Sequence, residues 1–337
     1  MDLYILDTAG NPVAVIDSYK SLIWTKRYYT YSDFELYLSA DNDLLNYLKS
    51  DNLIIRDNDD TVMIIERIEI TTDVENGDFF IISGRSLESL LARRIIWTQT
   101  NISTNNPADA VYTLIKQNTT SSTARNIPRL SIDETFSMNG NLNIQFTGDN
   151  LLEAITAICK RFGFGFKMNQ NFVFSCYRRG KIDVTFSSEF DNIISSNYLC
   201  DYTNYANCAL VAGEGEGTAR KTIAVSNDVS GLKRREIYID ARDLSTNDGE
   251  ISDSDYYIKL SQRGKEKLNE FAVATAFDGE IEPQSTYSYK SDYNLGNIVT
   301  VENKYGVTSS PRIVEIIESW DENGYTVVPT FEELEVE

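Results

Sequence analysis

The chain has 337 residues, with 31 basic and 51 acidic side chains, a formal net charge of −20 and no histidine. Because histidine is the only side chain whose unperturbed pKa lies near neutrality, its absence excludes Ser-His-Asp and Cys-His nucleophiles, HExxH metalloproteases and His-ligated haem. The negative charge argues against tight binding of nucleic acid or anionic membranes, which depends on lysine and arginine.

The first 96 residues alternate between apolar and polar side chains. Phe34, Leu36 and Leu38 share one face of a predicted strand, and Arg67–Ile70 alternates charged with aliphatic residues. Turn residues separate the strands at 57–60 and at Glu75-Asn76-Gly77-Asp78. A short helix is predicted over Leu87–Arg94. We expect residues 1–96 to form an antiparallel β-domain, which strands from 181–200 can complete.

Residues 97–180 change to a helical period. Asn106 followed by Pro107 predicts a helix start, and a second helix is predicted over Leu151–Arg161, ended by Gly163. Strands are predicted at 164–167 and 172–177, with connecting segments at 98–106 and 118–126. This region is predicted to be a small α+β insert.

The C-terminal part returns to strands around one helix. Strands are predicted at 207–212, 221–225, 235–239, 298–301, 312–320 and 325–329. Ser252-Asp253-Ser254-Asp255 predicts the helix start, and the expected apolar stripe comprises Tyr257, Leu260, Leu268, Phe271 and Ala272, interrupted over 262–267. We expect 201–239 and 286–337 to form a second β-domain, with 240–285 as a small helical insert.

An internal repeat links the two β-domains. The segment from Leu53 through Glu69 to Asn76-Gly77 is echoed by the segment from Ile298 through Glu318 to Asn323-Gly324, and the two Asn-Gly turns lie 247 positions apart. Two copies of one small β-domain are compatible with this spacing. Any two hairpins with Asn-Gly turns would also look alike, so both interpretations stay open here.

Four cysteines, at positions 159, 176, 200 and 208, lack CxxC spacing and are predicted to be free buried thiols rather than a zinc site. The sequence starts Met1-Asp2-Leu3-Tyr4, without the basic region of a signal peptide, and has no apolar run of about 18 residues. We therefore expect no membrane anchor.

Motifs that carry chemistry are weak. Gly213, Gly215 and Gly217 form a glycine-rich loop, but the order of a Walker A loop or of GxGxxG is absent and two glutamates stand within the loop. The loop is predicted to be a tight structural turn. The acidic run 248–255 lacks the EF-hand order, so a solvated helix start is favoured over calcium. Carboxylate-pair hydrolysis needs no histidine and stays open, and the 20 tyrosines suit carbohydrate or protein contacts as well as strands.

Several segments, in order and spacing, resemble the siphophage tail hub (baseplate hub) family, which is similar to the hub of contractile tails and to the N-terminal module of tail-associated lysins. The segments that carry the resemblance are Phe34-Glu35-Leu36, Gly84–Arg94, Val211–Gly217, Arg234–Asp243, Leu260–Gly264 and Asp292–Val301. Within them the family-motif positions are Arg235, Asp240, Asp243, Asp292, Leu295 and Gly296. Asn297 departs from the pattern, since the family commonly has an acid there.

The resemblance implies an α+β, mainly β fold with two tail-tube-like antiparallel β-barrel domains and two smaller inserted domains. It implies a homotrimer that forms a pseudo-sixfold ring at the distal end of the tail tube. Implied partners are the distal tail or tail tube protein, the tape measure protein, tail tip or receptor-binding proteins, and phage DNA in transit without tight binding.

Three function classes follow for the sequence. The first is a structural hub without catalytic residues, cofactor or metal, located in the virion tail tip. The second is a carboxylate-type tail-associated cell-wall hydrolase, and the third is a tail adhesin that binds carbohydrate through its tyrosines. The hub is the preferred hypothesis.

Overall fold

A computed structural model describes residues 1–72, 77–120, 123–190, 192–226, 228–246, 250–281 and 287–332. The fold is mainly β with inserted α+β units, as the sequence predicts. Within these ranges, eleven strands follow one another in a single sheet of 14 strands, and three smaller sheets lie outside it.

The N-terminal unit contains seven antiparallel strands and one short helix. They are β1 (Leu3–Leu6), β2 (Pro12–Ile16), β3 (Ser21–Arg27), β4 (Asp33–Ser39), α1 (Asn42–Leu45), β5 (Leu53–Arg56), β6 (Met63–Thr71) and β7 (Phe79–Ser86). The period-two pattern places Phe34, Leu36 and Leu38 in one buried apolar core, as expected. The Glu75-Asn76 part of the predicted turn lies outside the described residues.

The second unit is the α+β insert. Its elements are α2 (Ser89–Ala92), β8 (Thr100–Thr104), α3 (Pro107–Thr119), β9 (Ser131–Asp133), β10 (Leu142–Phe146), α4 (Leu151–Phe162), β11 (Gly165–Met168) and β12 (Val173–Tyr177). Asn106 caps α3 by accepting the Ala108 N–H, and Gly163 ends α4 in the left-handed conformation, as predicted. The predicted connection 98–106 instead contains strand β8, because it pairs with β10.

A third unit groups a sheet with the long helix. After the insert, the chain runs through two strands of the large sheet, β13 (Lys181–Ser187) and β14 (Ile193–Asp201). The third unit follows and consists of β15 (Cys208–Ala212), β16 (Thr222–Ser226), β17 (Glu236–Asp240) and α5 (Asp253–Glu270). Strands β15 to β17 pair only with one another within the described ranges, and α5 covers their face. The predicted second β-domain combined residues 201–239 with 286–337. Among the described residues, the sheet pairing does not join β15, β16 or β17 to the strands of 286–337 and so differs from that prediction. The apolar side of α5 must be buried against another apolar surface, and β15 and β16 supply that surface.

The buried side of α5 also differs from the prediction. Tyr256 and Leu260 are buried together with Gly264, whereas Tyr257 is only partly buried. A Cβ at Gly264 would lie 2.6 Å from Cγ2 of Val225, so this glycine lets the helix approach the sheet closely. The helix is therefore continuous where the apolar stripe looks interrupted in sequence.

The final strands return to the large sheet. They are β18 (Ala274–Ile281), β19 (Ile298–Glu302), β20 (Thr308–Ser309), β21 (Arg312–Asp321) and β22 (Gly324–Glu332). Strand β13 pairs with β19 and β14 pairs with β18, so the strands from 181–201 adjoin this C-terminal part and do not complete the N-terminal unit.

The internal repeat extends over a whole path of paired strands. The paired strands of the first copy are, in order, β3-β4-β7-β6-β5-β1, and those of the second are β14-β18-β22-β21-β19-β13. Strands at equivalent places in the two paths also come in the same order along the sequence. Each central hairpin carries a register shift at the corresponding place, between Ile65 and Arg67 in β6 and between Ile313 and Glu315 in β21. The one difference in direction is that β13 and β19 are parallel while β1 and β5 are antiparallel. The hairpin echo in the sequence thus belongs to a duplicated strand path.

The two copies meet edge to edge within the chain. Strand β21 of the second copy pairs antiparallel with β3 of the first, from Glu315 opposite Arg27 to Trp320 opposite Leu22. We call this pairing the closed junction.

Candidate functional site

The glycine-rich loop 213–217 joins β15 to β16 beside the start of α5. A Cβ at Gly213 would lie 2.3 Å from the Tyr256 hydroxyl oxygen, which accepts the Glu214 N–H at 2.8 Å and donates to the Leu244 carbonyl at 3.0 Å. Gly215 has a φ of +97° and Gly217 a φ of +55°. The glycines therefore let the loop turn tightly against the helix.

The charged groups of this loop are engaged with one another. Glu214 accepts the Thr246 N–H at 3.0 Å and pairs with Lys221 at 3.0 Å, and Lys221 also reaches Asp253 at 2.8 Å. The hydrogen bond from the Thr246 N–H lowers the pKa of Glu214, and the two carboxylates raise the pKa of Lys221. Acidic groups at this loop are unsuited to cradling a phosphate.

Asp240 and Asp243 lie at the end of β17, close to the same loop. Asp240 pairs with Arg220 at 2.8 Å and with Arg242, and these partners, with the Arg242 hydrogen bond first, lower its pKa to about 2. Asp243 pairs with Arg263 of α5 at 2.9 Å. Both motif aspartates thus fasten the β17 end to the helix and to the loop. We call these pairs, together with the Glu214, Lys221 and Asp253 pairs, the exposed network.

Arg235 lies at the other end of this sheet. Its backbone N–H donates to Asn207 at 2.9 Å, and its guanidinium lies over the rings of Tyr202 and Tyr205, 5.8 Å and 5.7 Å from their centroids. Arg235 therefore attaches the third unit to the segment that follows β14.

Asp292, Leu295 and Gly296 lie on the connection before β19, next to the closed junction. Asp292 accepts the Ser288 N–H at 2.7 Å, and Leu295 packs against both the insert core and the core of the second copy. Gly296 has a φ of +90°, and a Cβ there would lie 2.3 Å from the Tyr28 ring. This segment is therefore packed between the two copies and the insert. The predicted motif positions divide between two places, the third unit and the junction, and do not converge on one site.

A buried ionic cluster, which the sequence analysis missed, lies at the closed junction. Arg56 pairs with Asp59 and with Glu318, and Lys26 reaches Asp59 at 2.6 Å. The Tyr325 hydroxyl donates to Glu318 at 2.9 Å. Arg56 and Asp59 belong to the first copy and Glu318 to the second, so the junction cluster (Lys26, Arg56, Asp59 and Glu318) fixes one copy against the other.

Asp59 of the junction cluster is held in its charged form. Burial raises the pKa of Asp59, but the charges of Lys26 and Arg56 outweigh it and hold the pKa well below its usual range. The Arg56 guanidinium lies between Trp24 and Trp320, 5.0 Å and 4.9 Å from the ring centroids. Each charged group therefore has a counter-ion, which suits a structural connection better than a proton-transfer site.

A cleft of about 420 Å³ opens beside the cluster, and its lining includes Lys26, Asp59, Glu88 and Lys290. Glu88 is buried, and burial raises its pKa, while one of its carboxylate oxygens accepts the Met168 N–H at 2.6 Å. The two buried carboxylates of the cleft, Asp59 and Glu88, thus hold structural positions. The sequence does contain weak signals for this region: Arg56 is a charged residue at the end of an aliphatic strand, and Asp59 belongs to the turn 57–60.

A family model described as Siphovirus ReqiPepy6 Gp37-like protein matches residues 2–331. The chain belongs to this family. The match covers both copies of the strand path, the insert and the third unit, so the whole duplicated architecture is that of a Gp37-like protein.

Solved structures of tail proteins share the fold of this Gp37-like chain. The 43 kDa tail protein of prophage MuSo2 from Shewanella oneidensis is similar with a TM-score of 0.63 at 12% identity, covering 99% of this chain and 98% of its own. The tail protein from Neisseria meningitidis MC58 gives 0.60 at 12% identity, covering 98% and 95%. The prophage tail protein gp18 from Listeria monocytogenes EGD-e gives 0.61 at 9% identity, covering 100% and 96%. These likenesses show the tail-protein fold over nearly the whole chain.

Four further findings concern the Gp37-like chain itself. Among curated proteins, none matches it significantly. In the ranges that the structure describes, no helix has the length and apolar composition needed to cross a membrane, and no group of three or more acidic or cysteine side chains is placed to hold a metal ion. Cys159, Cys176 and Cys208 are buried and free, as expected, whereas Cys200 is exposed, because it lies on β14 at the edge of the large sheet.

Proposed function

We propose that this protein is a tail hub, a structural ring at the distal end of a siphovirus tail. Three chains, each with two copies of the strand path, would form a ring of six similar units around a channel. Such a ring matches the symmetry of a hexameric tube on one side and offers threefold symmetry to the tail tip on the other.

The duplicated strand path carries the proposal. The first and second copies use the same pairing order and the same bulge position, and they already join edge to edge at the closed junction. Repeating that edge-to-edge contact between chains generates a closed ring if the rotation between neighbours is near 60°. The tail-protein fold and the family membership agree with this role.

The proposed neighbours are other tail proteins. The ring would contact the distal tail or tail tube protein on one side, the tail tip or receptor-binding proteins on the other, and the tape measure protein in its channel. DNA would pass without being held, because a chain with a net charge of −20 repels a polymer that carries one negative charge per about 1.7 Å. A gel-shift assay at physiological salt should show no retained double-stranded DNA, and a stable complex would contradict this point.

The role is structural rather than enzymatic. The buried carboxylates Asp59 and Glu88 are both engaged with protein groups. The motif aspartates Asp240 and Asp243 are paired with arginines, and Asp292 accepts a backbone N–H. The purified protein should not lower the turbidity of a peptidoglycan suspension. Clearing that is abolished by Glu88→Gln would support the hydrolase alternative, and binding to host glycans would support the adhesin alternative.

The mass of the protein in solution tests the hub directly. Light scattering coupled to size exclusion should give the mass of three 38.2 kDa chains. A protein that stays monomeric at tens of micromolar would contradict the ring.

A further inference from the structure

Among the open strand edges in the described part of the large sheet, two correspond in position to the closed junction. Strand β14 pairs with β18 on one side, and its other edge faces no strand within the described residues. On β6, β5 covers only Met63 and Ile64, and the edge over Arg67–Thr71 carries no partner strand in the part of the chain that is described. Exposed strand edges are templates for pairing with another chain.

The repeat shows how these two edges correspond to the closed junction. In the first copy β3 is the strand beyond β4, and in the second copy β14 is the strand beyond β18. Likewise β6 and β21 hold the same place beside β7 and β22. The closed junction joins β3 to β21, so its equivalent between two chains would join β14 of one to β6 of the next.

The hydrogen-bond registers make this correspondence specific to single residues. Trp24 lies opposite Phe34 and Tyr198 opposite Phe277, while Phe34 lies opposite Gly84 and Phe277 opposite Phe331. The bulge of β6 lies opposite Gly84 and the bulge of β21 lies opposite Phe331, so these two positions are also equivalent. On β3 and β14 the equivalent residues are Thr25 with Leu199, Lys26 with Cys200 and Arg27 with Asp201. On β6 and β21 they are Arg67 with Glu315, Ile68 with Ile316 and Ile70 with Glu318.

Positions buried in the closed junction are exposed at the open edges. Thr25 is 4% exposed, whereas its equivalent Leu199 is 47% exposed. Glu318 is 2% exposed, whereas its equivalent Ile70 is 51% exposed. Apolar side chains at these open positions would be buried by the same pairing that buries their equivalents.

The charges at the two edges are complementary. In the closed junction Arg27 donates to Glu315 at 2.6 Å from directly opposite positions. The equivalent open positions are Asp201 and Arg67, which restore the same ion pair with the signs exchanged. Among the described residues, the ion pair of Arg67 is with its strand neighbour Glu69, and the two side chains are 64% and 42% exposed. One Asp201 oxygen accepts the Thr203 N–H at 2.7 Å.

We propose that β14 of one protomer pairs antiparallel with β6 of the next, in the register of the closed junction, with Asp201 opposite Arg67 and Cys200 opposite Ile68. This inference rests on the ring proposed above and identifies its subunit interface. Each chain contributes one open edge of each kind, so the contact is head to tail and can close after three chains.

Cross-linking to the native Cys200 tests the register. In Ile68→Cys the new thiol lies opposite Cys200 of the neighbouring chain, within the Cα separation of about 4.4–6.8 Å that a disulfide spans. Mild oxidation should give covalently linked dimers and trimers on a non-reducing gel. In the control Glu69→Cys, the new side chain points to the opposite face of the sheet, so little linkage is expected. Adding Cys200→Ser to Ile68→Cys should abolish the product.

A second pair of positions covers the case in which Ile68→Cys folds poorly. Arg67→Cys with Asp201→Cys, in a Cys200→Ser background, places both thiols on exposed positions that lie opposite each other in the proposed register. It should give the same ladder of linked chains.

Charge exchange tests the ion pair independently. Arg67→Asp and Asp201→Arg should each raise the concentration at which half of the protein is dissociated by at least about tenfold, because like charges then face each other. The double exchange should recover to within about threefold of the natural protein.

The outcomes separate this interface from the ring itself. A trimeric mass with linked chains supports both. A trimeric mass in which neither cysteine pair links, or in which the charge exchange has no effect, overturns the β14–β6 interface and leaves the ring. A monomeric mass overturns both.

Discussion

Two ion-pair networks hold parts of this molecule together, and they differ in burial. In the junction cluster, the Arg56 guanidinium lies between the rings of Trp24 and Trp320. The side chains of Arg56 and Asp59 are 1% and 0% exposed. The exposed network contains the same residue types, but half of its side chains are exposed to solvent and the others are only partly buried. Solvent therefore screens the exposed network more strongly than the buried part of the junction cluster formed by Arg56, Asp59 and Glu318.

This difference assigns separate tasks to the two networks. Removing one partner from a buried network leaves an uncompensated charge and costs several kcal/mol, whereas exposed pairs contribute little. The junction cluster therefore determines how the two copies are held against each other, which sets the geometry of the proposed ring. The exposed network secures a local loop and helix start.

The largest expected effect comes from breaking the junction cluster. Arg56→Ala leaves Glu318 buried without its guanidinium partner and should lower the free energy of unfolding by about 3–5 kcal/mol. Urea unfolding at one fixed protein concentration measures the change, since assembly also alters apparent stability. Arg242→Ala in the exposed network is the matched control and should leave the midpoint nearly unchanged. Equal effects of the two variants would remove the distinction.

The next effect concerns the chain segment packed against the junction. Gly296→Ala forces a side chain at a φ of +90° and 2.3 Å from the Tyr28 ring, so we expect a loss of about 2–4 kcal/mol. Gly306→Ala has a φ of +76° with no atom within 4 Å, and should cost only the backbone strain of about 1–2 kcal/mol. If both variants lose the same stability, the close approach to Tyr28 has no energetic role.

The two buried carboxylates beside the cleft should respond to pH in opposite directions. The folded pKa of Asp59 is below the unfolded value of about 3.9, so its stabilisation is complete above that pH and is lost as the pH falls toward the folded pKa. Burial raises the folded pKa of Glu88, so its contribution is present below about pH 4.3 and is lost as the pH rises through the folded pKa.

Glu88→Gln isolates the second of these effects. Glutamine keeps an oxygen for the Met168 N–H and carries no charge, so the variant should be more stable than the natural protein at pH 7 and indistinguishable from it near pH 4. Thermal unfolding at both values measures this. A gain of equal size at both pH values would mean that the charge of Glu88 is not the cause.

The smallest effect is expected in the exposed network. Lys221→Ala removes the pairs with Glu214 and Asp253 at the glycine-rich loop, yet the Tyr256 hydroxyl still holds the loop to the helix. The unfolding midpoint should shift by no more than the error of the measurement. A large loss would show that this network is as important as the junction cluster.

Elements with strong local signals were predictable from sequence. Asn106 with Pro107 gives the start of α3, Gly163 gives the end of α4, and the alternation around Leu36 gives a strand of the first core. These signals are local because a cap or a period depends on residues a few positions apart. The hairpin echo was also visible, although only the strand pairing reveals how much of the chain it covers.

Long-range partnerships were not predictable in this way. Arg56 and Glu318 meet across 262 positions, and neither is one of the family-motif positions. The motif aspartates Asp240 and Asp243 were found by resemblance, but their division from Asp292 between two places depends on which sheet receives β15 to β17. The predicted stripe of α5 left out Tyr256 and Gly264, whose burial depends on the sheet that the helix packs against.

Negative-stain images of the purified protein test the central claim most directly. The account predicts ring-shaped particles whose averages show threefold symmetry with six similar lobes around a central opening, two lobes from each chain. Well-dispersed particles of single-chain size, or rings whose lobes do not come in three pairs, would contradict it.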